Sequence, residues 1–182
     1  MFAEATPAML PTLLFSEVPT FAYDAVIWVR SDDPWHYEGA ESLRGRRVGN
    51  VSGYAADGVD DVYQAFLDSK STDVFEASGI DAVPRLFQML SLGRVDMFAE
   101  NFLVGQYLGD KLGLSDKIRP AGMMANSEKL YPAFSPVDPR ARELIEIWNK
   151  GRSEMQLTGE DIKYLANYGI EESSFPVRGS TD

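Results

Sequence analysis

Two short polar steps stand where apolar runs end, and they are the residues best placed for chemistry. Ser52-Gly53-Tyr54 closes the run Arg46-Arg47-Val48-Gly49-Asn50-Val51, and Glu100-Asn101 closes Val95-Asp96-Met97-Phe98-Ala99. A strand that enters a helix through a Ser-Gly turn aims backbone N–H groups at one spot. The first turn of a helix leaves such donors unsatisfied at the positive end of its dipole, which suits an anionic or strongly polar ligand group. The turn matches neither a Walker loop nor the three-glycine dinucleotide fingerprint. The ordinary alternatives are a plain βα turn for Ser52, Gly53 and Tyr54, and a helix N-cap for Asn101. Phe21 is a pocket-wall candidate, whereas Tyr23 and Trp28 read as core and Met123-Met124 as packing.

Residues for catalysis are scarce. The chain has no cysteine and one histidine, His36, in a polar loop with no partner at ligand spacing, so neither thiolate chemistry nor a metal site is expected. No nucleophile elbow is present, and acidic pairs such as Asp60-Asp61 and Glu171-Glu172 read as solvated faces. No cofactor is called for. A net charge of −11 argues against nucleic acid and anionic lipid. No apolar run approaches the ~18 residues of a membrane span, and Met1-Phe2-Ala3-Glu4 does not open a signal peptide.

The elements that must carry these residues follow from periodicity. Tyr23 to Arg30 reads as one β-branched strand, and residues 31–45 as a surface loop. Next come a strand over 47–51, a helix from about Asp57 to Asp68, a strand Thr72 to Glu76, and a helix Ile80 to Leu92. In that helix Val83, Leu86, Phe87 and Leu90 recur at helical spacing, Pro84 lies in the first turn and Gly93 closes it. A strand Val95 to Glu100, a helix through Val104, Tyr107, Leu108 and Leu112, and a strand Lys117 to Ala121 complete the middle of the chain. Leu130 to Phe134 is a further strand. Asp138-Pro139 is read as the N-cap and first turn of a helix through Leu144 and Trp148, and Thr158 with Asp161 as the start of a last helix. Alternating strands and helices predict a mostly parallel sheet with right-handed crossovers, whose ligands sit beyond the carboxyl ends of the strands. Both polar steps lie there. Met1-Phe2-Ala3-Glu4 also recurs as Met97-Phe98-Ala99-Glu100, an echo that two pseudo-equivalent α/β lobes would produce.

The order of these pieces resembles the family 3 solute-binding proteins of bacterial ABC transporters, the amino-acid type. The pieces are Phe15-Ser16-Glu17 before a strand ending Trp28-Val29-Arg30, then Asp32-Asp33-Pro34, Ser42-Leu43-Arg44-Gly45-Arg46-Arg47-Val48-Gly49, Ser52-Gly53-Tyr54, Leu92-Gly93-Arg94-Val95-Asp96 and the helical close from Pro139 to Gly169. The resemblance implies an α/β fold of the type II periplasmic-binding-protein kind, with one nearly complete lobe containing a parallel-rich sheet plus a partial second lobe. Residues 1–24 would be a remnant of lobe one, 25–130 lobe two, 131–170 C-terminal helices returning to lobe one, and 171–182 a tail. That family clamps its ligand between two lobes. The family's opening strand–helix–strand has no counterpart, so the chain is expected to be N-terminally truncated by about half a lobe. Leu13, Leu14, Ile145 and Trp148 would then expose apolar surface.

The resemblance further implies a small-molecule solute, an ABC transporter permease as partner, a periplasmic location and no enzyme activity. The implied ligand-binding residues are Thr6, Phe21, Ser52, Gly53, Tyr54, Glu100 and Asn101. Two positions depart from the amino-acid-binding pattern. Met9 stands where an Arg often pairs with the ligand carboxylate, and Asn101 where an Asp often holds the ammonium. Asn101→Ala is expected to weaken solute binding and leave folding nearly unchanged. A second reading is the ligand-sensing input module of a membrane receptor or histidine kinase with the same fold. A third is a small hydrolase or dehydratase relying on Glu100 or Asp96.

Overall fold

The computed structural model describes residues 2–8, 10–54, 56, 59–69 and 73–170. In chain order the elements are β1 (Phe2–Ala5), β2 (Leu14–Phe15), β3 (Phe21–Tyr23), β4 (Ala25–Arg30), a 3-10 turn (Ala40–Leu43) and β5 (Val48–Val51). They continue with α1 (Asp61–Asp68), β6 (Val74–Ala77), α2 (Ala82–Ser91), β7 (Met97–Asn101), α3 (Phe102–Lys111), β8 (Ile118–Met123), β9 (Glu128–Phe134), α4 (Ala141–Thr158) and α5 (Glu160–Ala166). Among the described residues no helix is long and apolar enough to cross a membrane. The chain divides into two compact units, one built from Met1–Tyr23 with Glu128–Glu171, the other from Asp24–Ser127. The strand expected as one piece from Tyr23 to Arg30 is accordingly two, broken at Asp24, with β3 in the first unit and β4 in the second.

In the first unit β9 is the common partner, pairing antiparallel with β1, β2 and β3. α4 is fastened to the β2–β3 segment by polar contacts. Asn149 Oδ1 accepts from the N–H groups of Glu17 and Val18 at 3.0 and 3.1 Å, and Trp148 Nε1 donates to Val18 O at 2.8 Å. Arg152 Nε donates to Thr20 O at 3.1 Å and its guanidinium pairs with Asp161 at 2.9 Å, tying α4 to α5. Leu13, Leu14, Ile145 and Trp148 are each half-buried, and it is Ile147 and Leu157 that stand exposed.

Both helix starts in this unit differ from the sequence reading. Asp138 does not cap α4, whose N-cap is Arg140; its carboxylate instead accepts from the Arg140 N–H at 2.9 Å, closing the turn before the helix. Thr158 is the last residue of α4, its hydroxyl bonded back to Glu154 O at 3.0 Å, and Gly159 in the left-handed region separates α4 from α5. Glycine adopts that conformation without a Cβ clash, so the two helices break there.

The second unit is a five-stranded sheet in the order β6-β5-β7-β4-β8. β5 is parallel to β6 and β7, and β4 is antiparallel to both β7 and β8, so four strands run one way and β4 alone opposes them. Val26, Trp28 and Phe98 share a sheet face with the inward residues of α2, Leu86, Phe87 and Leu90. Their recurrence at helical spacing is what the sequence displayed, and each is at most 1% exposed. Trp28 is the hub: Phe87 meets it edge-on at 5.6 Å and Phe102 lies parallel to it at 6.1 Å. α3 backs onto the same indole at Gly105, where a Cβ would stand 2.1 Å from Trp28 Cζ2.

Candidate functional site

β5 and β7 are parallel neighbours, so their ends, Val51 and Asn101, reach the same edge of the sheet. The two polar steps found in the sequence therefore belong to one region of the second unit. Their chemistry differs from the sequence expectation. The Ser52 N–H donates to Ala77 O at 2.8 Å, continuing the β5–β6 ladder, and the Tyr54 N–H closes its own turn on Val51 O at 2.9 Å. Gly53, with φ of 87°, makes that turn possible. The turn does not run straight into a helix, because α1 begins only at Asp61 and its first turn is already capped. A cradle of free N–H groups is thus absent at Ser52 and Tyr54. What Ser52 and Tyr54 offer is their exposed side chains.

The Glu100-Asn101 step carries two of the buried side-chain atoms left without a partner among the described residues; the Trp28 indole N–H and the Tyr63 hydroxyl are the others. Asn101 is the N-cap of α3: its Oδ1 accepts from the N–H groups of Leu103 at 2.9 Å and Val104 at 3.2 Å. Its Nδ2 is buried without a partner. Glu100 Oε1 accepts from the Asn101 N–H at 2.7 Å, while Oε2 is buried and unpartnered. Burial pushes the Glu100 carboxyl up to about 7, against the pull of that single N–H. Tyr54 stands close enough for this charge to matter; its phenol is raised, first by burial and then by Glu100.

Sequence reasoning missed one cluster here. Asp60 is not a solvated acid but a buried one, and only Asp61 is exposed. Asp60 Oδ1 caps α1 by accepting from the Tyr63 N–H at 3.0 Å. Its Oδ2 accepts from the Tyr37 hydroxyl at 2.9 Å and the Ala125 N–H at 3.3 Å. Burial and the bond to Asp60 push the Tyr37 phenol far up, so it remains a donor. An Asp just before a helical run is an N-cap signal; nothing near Tyr37 marks it as the partner. Removing one hydroxyl from a buried carboxylate costs about 1.5 kcal/mol. Tyr37→Phe should therefore lower the urea midpoint of unfolding by a corresponding amount, and an unmoved midpoint would show that Asp60 is satisfied without it.

Asp96 is a structural group. It accepts from the Arg47 N–H at 2.9 Å and pairs with the Arg47 guanidinium at 2.6 Å. Burial opposes its charge, but these contacts hold its carboxyl below the ordinary value. The loop 31–45 is likewise pinned: Arg46 pairs with Asp33 and covers Trp35 at 4.8 Å, and Arg119 donates to the carbonyls of Asp33 and Trp35 at 2.6 and 2.7 Å. Thr6, 4% exposed, follows β1, and the half-buried Phe21 opens β3; both belong to the first unit, whereas Ser52, Gly53, Tyr54, Glu100 and Asn101 belong to the second. Met9, the helix start near Asp57, Gly58, Thr72 and the tail 171–182 lie outside the described residues.

No family model matches the chain, and no curated protein matches it. Solved structures do. AbpA from Streptococcus pneumoniae, an amino acid ABC transporter substrate-binding protein bound to L-arginine, superposes with a TM-score of 0.63 at 16% identity, over 91% of this chain and 65% of that one. The fold is that of the type II periplasmic binding proteins. A mutant of ArgBP from T. maritima matches with a TM-score of 0.59 at 22% identity over 86% of this chain. A histidine kinase sensor domain with similarity to periplasmic binding proteins matches with a TM-score of 0.62 at 18% identity over 91%. The chain spans 62% of the ArgBP chain and 66% of the sensor domain.

Proposed function

We propose that the protein captures a small polar solute, amino-acid-like in size, for delivery to an ABC transporter permease. The observation that carries this reading is the pair of orphaned polar atoms at the end of β7, the Glu100 acceptor and the Asn101 donor, each more than nine-tenths buried. Most buried polar groups in native proteins are satisfied, and an acceptor and a donor left unmet on adjacent residues at a strand end suit a polar ligand. The position supports a ligand, since solutes bind beyond the carboxyl ends of strands in α/β sheets. Ser52, Gly53 and Tyr54 flank this edge as contacts. In this reading the first unit is lobe one and the second is lobe two, the work is done outside the cytoplasmic membrane, in the periplasm, and no reaction is catalysed.

Calorimetric titration with the twenty L-amino acids tests the reading, and at least one should bind. The informative variant is Asn101→Ser. Asn101→Ala is not the innocuous change that the sequence suggests, because it also removes the α3 cap at about 1 kcal/mol. Serine keeps a capping oxygen and deletes only Nδ2. Asn101→Ser should fold with near-wild-type stability and bind the solute about tenfold more weakly, the effect of one lost hydrogen bond in a dry site. Equal affinity would remove Asn101 from the site. The likeness to the histidine kinase sensor domain supports a second reading, a ligand-sensing input module. A gene fused to a kinase module rather than neighbouring a permease would favour it.

A further inference from the structure

We infer that the solute is an organic cation, its N–H donors held by the free Oε2 of Glu100; this rests on the solute-binding reading above. Glu100 pairs with Val26 in the β4–β7 ladder and so faces the same side as Trp28 and Phe98, among apolar neighbours. It is 4% exposed, and one N–H meets one of its oxygens. An ionised carboxylate has room for about four donors, and leaving it short of them in an apolar setting is costly.

Among the described residues, none on the neighbouring elements supplies the missing charge. Glu76 on β6 accepts from Asn50 at 3.0 Å, Arg85 on α2 is spent on Ser78 O at 2.7 Å and on Asp81, and Arg47 before β5 is spent on Asp96. Asp60 beside α1 is met by its own three donors. Tyr54, 50% exposed, follows β5 at the same sheet edge, and its phenol feels the Glu100 charge. A buried carboxylate short of donors, with an exposed aromatic side chain at the same sheet edge, suits an ammonium or guanidinium group.

An inorganic cation fits less well. Among the described residues no three His, Cys, Asp or Glu side chains gather as ligands, whereas an organic cation with its own N–H donors needs a single carboxylate. The net charge of −11 attracts such solutes from a distance.

The test uses L-arginine and L-citrulline, which differ by exchange of a cationic guanidinium for a neutral ureido group of the same shape. Titrated calorimetrically near pH 8, the wild type should bind L-arginine at least tenfold more tightly, and the preference should shrink toward pH 6 as Glu100 takes up a proton. Glu100→Gln should bind the two alike. Equal wild-type affinities, or a preference that survives in Glu100→Gln, would overturn the assignment. If a neutral amino acid binds and L-arginine does not, the solute-binding reading stands and the cation assignment falls. If no amino acid binds, both fall.

Discussion

Glu100→Gln is expected to be more stable than the wild type, with an advantage that grows from under about 1 kcal/mol near pH 5 to roughly 3 kcal/mol near pH 8. The Glu100 carboxyl is raised from 4.5 to about 7 by burial. Between those values the folded protein holds a proton that the unfolded chain has released. The unfolded state then binds fewer protons, so stability is lost as pH rises through the window and levels off above it. The displacement, at 1.36 kcal/mol per pH unit, accounts for the ~3 kcal/mol. Glutamine has the same shape and no charge to bury, so it escapes the loss. Urea melts of both proteins across the range read the effect as a difference, which cancels every other acid in the chain. Parallel pH profiles would mean that Glu100 is solvated or already paired. A solute that supplies a cation should close the gap between the two proteins near pH 8.

Gly105→Ala is expected to cost about 3 kcal/mol, although alanine is the better helix former by about 1 kcal/mol. The added Cβ would stand 2.1 and 2.3 Å from two carbons of the Trp28 ring, far inside contact distance. Trp28 is 1% exposed and hemmed by Phe87 and Phe102, so the indole cannot swing aside and α3 must move instead. A double-mutant cycle isolates the cause. In a Trp28→Leu background the alanine should be close to neutral, giving a coupling of about 2–3 kcal/mol. Additive costs would show that the strain lies elsewhere in α3.

What the sequence made legible was whatever depends on nearby residues. The apolar spacing of Leu86, Phe87 and Leu90 marked α2 and its buried face, and β4 and β7 stood out as short apolar runs. The meeting of the Ser52 and Glu100 steps at one edge followed from alternating strands and helices. The remainder hinged on partners far along the chain. Whether the Ser52 N–H is free depends on β6 reaching Ala77 beside it. Asp60 reads like its neighbour Asp61 until Tyr37, 23 residues back, and Ala125, 65 residues on, close over it. The caps of α4 and α5 failed for a local reason: Asp138 and Thr158 bond to backbone groups in their own turns, as short polar side chains do.

The ladder between β3 and β9 ends with Tyr23 opposite Glu128. Those are the residues at which the polypeptide leaves the first unit and returns to it. Asp24 and Ser127 are therefore tethered to a single rung, and the segment between them is an insert whose two ends emerge together. Such an insert is portable. A surface turn of another protein could accept such paired ends without being stretched, and a tight turn joining Tyr23 to Glu128 would make β3 and β9 an ordinary hairpin.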